Sequence, residues 1–331
     1  MPKASIVVPA FNCASTLPET LVSLRQQSFR DFEIVVIDDG STDETPQIAQ
    51  EHAQCDPRIR VVRQPNRGLA GARNSGIAEA KGEIIGFCDA DDLWHPNKLA
   101  NHVDHFDQSP HVGLSYSGSE LIDEASQPTG HAQRPRLTGV TAAHVFKRNP
   151  IGNGSAPVFR RAALQSLAWR PRHERQRDWV FDETFRQSED IECWLRFALT
   201  TDWVIEGIPG LLTGYRLNGG GLSANVDRQL ETWERVVTKL RPLDPAFFAK
   251  HEDTARAYQL RYLARRAVRS SDASTAVTMV RKSMRSSTKP LLEEPLKTLT
   301  TWAAAHALAR FGDAPLRRAQ SLLRPMKTTQ N

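Results

Sequence analysis

Continuous apolar runs alternate with helix-spaced stretches over the first ninety residues. "ASIVVPAFN" (4–12) is a short apolar strand ending at Pro9 and Asn12, and "STLPETLVSLRQQSF" (15–29) follows with helical spacing at Leu17, Leu21 and Leu24. Ser15 or Thr16 is a candidate N-cap. "FEIVVIDDGSTDET" (32–45) is an apolar run closed by carboxylates, and "TPQIAQEHAQ" is helical with Pro46 in its first turn. "RIRVVRQP" (58–65) predicts a third strand, "LAGARNSGIAEAKG" (69–82) a helix closed by Gly82, and "EIIGFCDADD" (83–92) a fourth strand. The strands are continuously apolar instead of alternating, the pattern of a parallel sheet covered by helices on both faces. Ligands of such sheets bind outside the carboxyl ends of the strands.

The alternation loosens after residue 92. "VGLSYSGSELID" (112–123) predicts a strand, "QPTGHAQRPRLTG" a loop, and "GNGSAPVFRRAAL" (152–164) a turn, a strand and a helix start. "SEDIECWLRFALT" (188–200) predicts a helix capped by Ser188, and "DWVIEGIPGLLTGYRL" (202–217) a strand pair interrupted at Pro209 and Gly210. From about Asp227 the pattern is helical, with a hairpin-like pair at "ARAYQLRYLARRAVRS" and "DASTAVTMVRKSMRSS", a further helix at 296–311 and a short basic amphipathic segment at 316–325.

Composition is that of an ordinary globular chain, with 40% hydrophobic and 24% charged residues in 331. Four scattered cysteines have neither zinc-finger nor CxxC spacing, which favours reduced thiols and a cytoplasmic protein. The opening "MPKASIVVPAFN" does not read as a signal peptide, and no apolar run has the length of a membrane span. Charge changes the picture more. From Arg228 onward there are 20 Lys and Arg against 9 Asp and Glu, an excess of +11, leaving 23 basic and 29 acidic residues, −6, before it. A basic tail behind an acidic front suggests peripheral contact with an anionic membrane surface, at the inner face for a cytoplasmic protein.

Polar clusters stand where the predicted strands end: Asn12 after the first, Asp38 and Asp39 after the second, and Asp89, Asp91 and Asp92 after the fourth. Carboxylates gathered on one sheet edge need a compensating cation. Hard oxygen donors without a His or Cys set suit Mg²⁺ or Mn²⁺ shared with substrate phosphates. "RGLAGARNSG" (67–76) is neither a dinucleotide fingerprint nor a Walker loop. Its Arg73 is placed to pair with a phosphate or with one of the aspartates. Nucleic acid does not fit this edge, since phosphates repel carboxylates without a metal.

"IVVPAFNCASTLPETLVSL", "VVIDDGSTDET", "NRGLAGARNSGI" and "GEIIGFCDADDLWHPNKL", in that order, resemble the nucleotide-binding half of family 2 glycosyltransferases. "SEDIECWLRFAL" and "YRLNGGGLS" resemble that family's later motifs. The resemblance implies an α/β GT-A fold: a mostly parallel Rossmann-like sheet flanked by helices over 1–226, with a nucleotide-binding half (1–110) and an acceptor half (111–226). A basic α-helical extension, 227–331, follows.

By position, the resemblance assigns Pro9, Phe11, Asp39, Arg73 and Asp89 to the nucleotide. It assigns Asp91, with Asp89, to the metal, and Asp190 to the general base with Glu189 as its neighbour. Arg216 and Asn218 fall in a loop over the diphosphate, where many members have His in place of Asn218. The acceptor is expected along 149–161, including Asn153, and at the basic loop 170–179, with Glu189 and a tryptophan such as Trp194, Trp169 or Trp179. The implied reaction is inverting transfer of a hexosyl group from a nucleoside-diphosphate sugar, UDP above others, to a hydroxyl of a saccharide or lipid-linked acceptor in surface or exported polysaccharide synthesis. The alternative is a nucleotide-sugar-binding module without transfer activity. A nucleotidyltransferase is disfavoured, because "PAFNCASTL" replaces the glycine-rich basic loop expected after its first strand.

Overall fold

The computed structural model describes residues 1–217 and 226–313. They form two compact units, one of residues 1–145 and 149–217, the other of 146–148 and 226–313.

The first unit opens with β1 (Ala4–Ala10), α1 (Leu17–Arg25), β2 (Phe32–Asp38), α2 (Thr45–Cys55), β3 (Ile59–Arg63), α3 (Gly68–Glu79) and β4 (Ile84–Phe87). β5 (Leu93–Trp94), α4 (Lys98–Gln108), β6 (Val112–Ile122), β7 (Pro128–Gln133) and the start of α5 (Ala142–Lys147), up to Val145, follow. β8 (Val158–Arg160), α6 (Arg161–Gln165), α7 (Glu189–Thr200) and β9 (Val204–Arg216) complete it. The sheet runs β3-β2-β1-β4-β8-β6-β9-β5, with β7 on the edge of β6. β3, β2, β1 and β4 are mutually parallel, as their continuously apolar sequences require, and every residue of β1 and β2 is buried. α3 lies close against this half: a Cβ on Gly76 would sit 2.1 Å from Val7 Cγ1, so only glycine permits the approach.

Local chemistry explains where elements differ from the sequence pattern. α3 ends at Glu79, before Gly82. The backbone N–H groups of Lys81 and Gly82 instead donate to buried Ser5 Oγ, and that of Lys81 also to Glu33 Oε1. Residues 204–216 form one strand, not a pair. Between the partners Tyr116↔Gly207 and Gly118↔Leu211, β9 has two residues more than β6. Pro209, which has no N–H, and Gly210, at φ 109°, therefore sit in a bulge. β7 is polar and largely exposed, so it lacks the alternation that marks a strand. Ser188 precedes α7 with left-handed backbone (φ 61°) and makes no side-chain cap.

The second unit contains α8 (Val226–Leu240), α9 (Pro245–Arg269), α10 (Ala273–Ser286), α11 (Lys289–Glu293) and α12 (Pro295–Phe311). Asp244 caps α9 by accepting from Phe247 N, and Asp272 caps α10 by accepting from Thr275 N. Leu260, Leu263, Ala264 and Ala267 of α9 pack with Ala276, Met279 and Val280 of α10 and Ala305 of α12. Among the described residues no helix is long and apolar enough to cross a membrane.

Candidate active site

The parallel topology brings the ends of β1, β2 and β4 to one edge. β1 ends at Ala10, whose carbonyl accepts from Asp39 N (2.8 Å), and the chain then leaves through half-exposed Phe11 and Asn12. Asn12 has φ 47° and accepts from Thr42 N through Oδ1 (2.9 Å), so the two loops brace each other. Pro9 is buried within β1 opposite Ile37. Asp39 is buried, with Oδ1 accepting from Gln64 Nε2 (2.6 Å) and Arg67 N (2.8 Å), and Oδ2 from Gly68 N (2.8 Å). Its carboxyl is raised by burial, against the pull of these donors at the start of α3.

The acidic run after β4 divides by role. Asp92 is buried, accepting from Ser155 Oγ (2.6 Å) and Arg216 N (2.9 Å). Burial, and then Asp91 and Asp89, push its carboxyl well above the ordinary range. Asp89 is held from behind by Asp89 N donating to Ser155 Oγ (2.8 Å), and keeps its carboxylate partly accessible. Ser155 thus positions both aspartates.

Arg73 joins the sheet edge to α7. Its guanidinium is almost fully buried, with Nη2 donating to Asp89 Oδ1 (2.7 Å) and Nη1 to Glu189 Oε1 (2.7 Å), and it stands over the Phe181 ring. Burial works against its charge, and Asp89 and Glu189 outweigh it, so its pKa rises. Glu189 is raised to about 7 by burial, with Arg73 opposing. Half-buried Asp190, beside it, is also raised by burial and pulled down by Arg73, and its Oδ1 accepts from Ile191 N (2.8 Å). The structure therefore brings Arg73, Asp89, Glu189 and Asp190 together, with Asp91 one residue beyond Asp89's neighbour.

Other expected site residues have different surroundings. Arg216 is buried instead of facing a loop. Its Nε donates to the Asp91 carbonyl (2.7 Å), its Nη1 to the Asp123 and Glu124 carbonyls and Ser126 Oγ, and its Nη2 to Glu19 Oε2 (2.9 Å). Its donors brace the acidic loop. Trp194 lies in the core, stacked on Phe159 and edge-on to Phe181, because the apolar face of α7 turns inward. Trp179 is buried edge-on to Trp169. Asn153 shapes its turn, donating to Ser119 Oγ (2.9 Å) and accepting from Ser155 N (3.1 Å). In the basic loop Arg177 is buried and donates to Ser75 Oγ, the Gly71 carbonyl and Glu183, so it docks the loop on α3. Asn218 lies outside the described residues.

Sequence reasoning missed Ser155 and Gly154. A Cβ on Gly154 would lie 2.1 Å from Arg73 Nη2 and 3.1 Å from Asp89 Oδ2. The signal was the run of small residues "GNGS" preceding an apolar strand. Gly154→Ala is expected to displace Arg73 and lower stability by ~1–3 kcal/mol, an overpacking cost that thermal denaturation measures directly. An unchanged melting temperature would mean that Arg73 moves without loss.

Among the described residues no cluster of three or more His, Cys, Asp and Glu is arranged to hold a metal ion. The side chains of Asp89 and Asp91 at this edge offer carboxylate oxygens alone, the donor type that hard divalent cations take.

Residues 5–167 match the family described as Glycosyl transferase family 2. Chondroitin synthase of Escherichia coli is 31% identical over 153 residues, 44% of this chain and 22% of the synthase. The chain spans 22–53% of the length of the first curated relatives it matches. Among solved structures, TarS 1-349 of S. aureus in complex with UDP-GlcNAc aligns over 94% of this chain and 92% of that one, at TM-score 0.59 and 19% identity. The mannosyltransferase PcManGT of Pyrobaculum calidifontis, in complex with GDP-Man and Mn²⁺, aligns over 95% and 88%, at TM-score 0.57 and 21% identity. These two likenesses establish the fold.

Proposed function

We propose that this chain, whose residues 5–167 belong to glycosyl transferase family 2, moves a hexosyl group from a nucleoside-diphosphate sugar to an acceptor hydroxyl with inversion. The observation that carries the reading is the Arg73 fork, which ties the carboxylate after β4 to the acidic first turn of α7. A donor-side group and an acceptor-side base thereby share one rigid frame.

Phe11, at the exposed end of β1, and Asp39, at the head of α3, are the residues we assign to the nucleoside. Arg73 and Asp89 border the diphosphate. Asp91, with Asp89, would hold Mg²⁺ or Mn²⁺, which when bound offsets charge on the diphosphate. Asp190 accepts the proton of the acceptor hydroxyl. The acceptor oxygen then bonds to the anomeric carbon as the bond from that carbon to the diphosphate breaks, and the electron pair leaves with the diphosphate. Glu189, held by Arg73, fixes the first turn of α7 and so the direction of the Asp190 carboxylate. UDP-sugar is the donor class we favour, in line with the UDP-GlcNAc complex of TarS. The chondroitin synthase likeness supports polysaccharide synthesis on a saccharide or lipid-linked acceptor. The scattered cysteines of the sequence favour a cytoplasmic setting.

Calorimetric titration with UDP, GDP and dTDP, each with Mn²⁺ and with chelator, tests this assignment. Metal-dependent binding of one nucleotide is expected, and its loss in Asp91→Ala. Binding without turnover of any sugar donor would instead identify a nucleotide-sugar-binding module. Absence of binding under every condition would remove the reading.

A further inference from the structure

The segment leading into α7 is fixed to α3. Asn74 Oδ1 accepts from Val180 N and Phe181 N (2.9 Å each), Asn74 Nδ2 donates to the Phe181 carbonyl (2.8 Å), and Arg67 Nε donates to Glu183 Oε2 (3.1 Å). Just beyond Glu183, Arg186 reaches the head of α3. A Cβ on Gly68 would collide with Arg186 Nη1 and lie 3.5 Å from its Cζ. The segment does not need this guanidinium for docking. Arg186 is exposed, and among the described residues its side chain makes no hydrogen bond or ion pair.

Asp39 stands beside it with an acceptor to spare. An ionised carboxylate has about four lone-pair sites. Asp39 Oδ1 accepts twice, from Gln64 Nε2 and Arg67 N, and Oδ2 once, from Gly68 N. The remaining site is on Oδ2, the oxygen bound to the residue that Arg186 touches. Burial raises the Asp39 carboxyl, and Arg186 is among the groups that oppose it, so the charge of one reaches the other. An anionic acceptor and a cationic donor thus stand side by side without bonding each other. A ligand that fits the pair presents a donor to the carboxylate and an acceptor to the guanidinium.

We propose that Asp39 and Arg186 together read the nucleobase edge on which a ring N–H adjoins a carbonyl, the N–H donating to Asp39 Oδ2 and the carbonyl accepting from Arg186. This rests on the assignment of Asp39 and Phe11 to the nucleoside. Uracil, thymine and guanine carry that edge. Cytosine and adenine have an unprotonated ring nitrogen there, whose lone pair would face the carboxylate. A site built to hydrogen-bond one base rejects another that leaves its polar groups unpaired. Arg186, which lies far in sequence from the rest of the nucleoside site, is then a specificity-determining residue for the donor.

Calorimetric titration of the full chain with UDP, CDP, GDP and ADP, all with Mn²⁺, tests it. The native chain is expected to bind UDP or GDP roughly tenfold or more tightly than the counterpart without the ring N–H, CDP or ADP. Arg186→Met should lower affinity for the preferred nucleotide by about tenfold or more and leave the counterpart within about twofold, so the preference collapses. Its melting temperature should not change, since the side chain is exposed. A variant that keeps the native preference overturns the role of Arg186 and leaves the nucleotide assignment standing. Equal loss of both members of a pair would make Arg186 a contact of the shared ribose or diphosphate and overturn base reading. So would a native chain that binds both members equally. A native chain that binds no nucleotide overturns this inference together with the assignment beneath it.

Discussion

Asp190→Asn is expected to lower turnover by ~10²–10⁴-fold, the contribution of a positioned general base, while nucleotide affinity stays within about twofold of the native chain. Asparagine is nearly isosteric and its carbonyl oxygen can still accept from Ile191 N, so the start of α7 should be undisturbed. What is lost is the ability to take a proton. The pH dependence gives a second readout. Burial raises the Asp190 carboxyl and Arg73 pulls it back, with the net direction upward. A base must be ionised, so activity should fall as pH drops through this raised value, at a higher pH than for a solvated aspartate. Steady-state rates with the best donor, measured across pH for both proteins, check the point. Native-like turnover in Asp190→Asn would move the base elsewhere.

Arg73→Ala is expected to cost ~3–5 kcal/mol of stability, the usual penalty for removing one partner of a buried ion pair. The side chain is almost wholly buried, and its loss leaves Asp89 and Glu189 without their shared cation. Glu189 already stands at about 7 against an ordinary 4.5, because of burial. A folded state that binds a proton more tightly than the unfolded chain loses stability as pH rises through the interval between the two values. For the native chain that interval is 4.5 to about 7. Removing Arg73 takes away the one large opposing influence, so the interval widens upward. The deficit of Arg73→Ala should therefore be larger at pH 8 than at pH 5.5, and adding Glu189→Gln should recover part of it. Denaturant unfolding at both pH values measures this. A deficit independent of pH would show that packing over Phe181, not charge, is the main role of Arg73.

The apolar runs made the parallel half of the sheet legible, because strands buried on both faces need no partner to be recognised. The acidic edge was legible for the same reason: carboxylates directly after such a run have one place to go. What was hidden depends on contacts distant in sequence. Nothing near Arg216 announces that carbonyls more than ninety residues away will take its donors. Trp194 reads equally as core or as an acceptor contact until the inward turn of α7 is known. The bulge at Pro209 and Gly210 looks like a break because the register that keeps β9 continuous belongs to β6. The helical period of α12 is visible in sequence, but which face its neighbours cover is not.

The Arg73 fork has a consequence for exchange between relatives. One of its carboxylates follows β4, the other opens α7, and the arginine itself lies on α3. A chimera that keeps the first hundred residues and imports the rest of the sheet unit from a relative must import an acid at the Glu189 position as well. Without it the graft carries a buried, half-neutralised guanidinium at its seam. The two stretches of this unit are thus not detachable modules: an exchange of either is bound to a single arginine on α3.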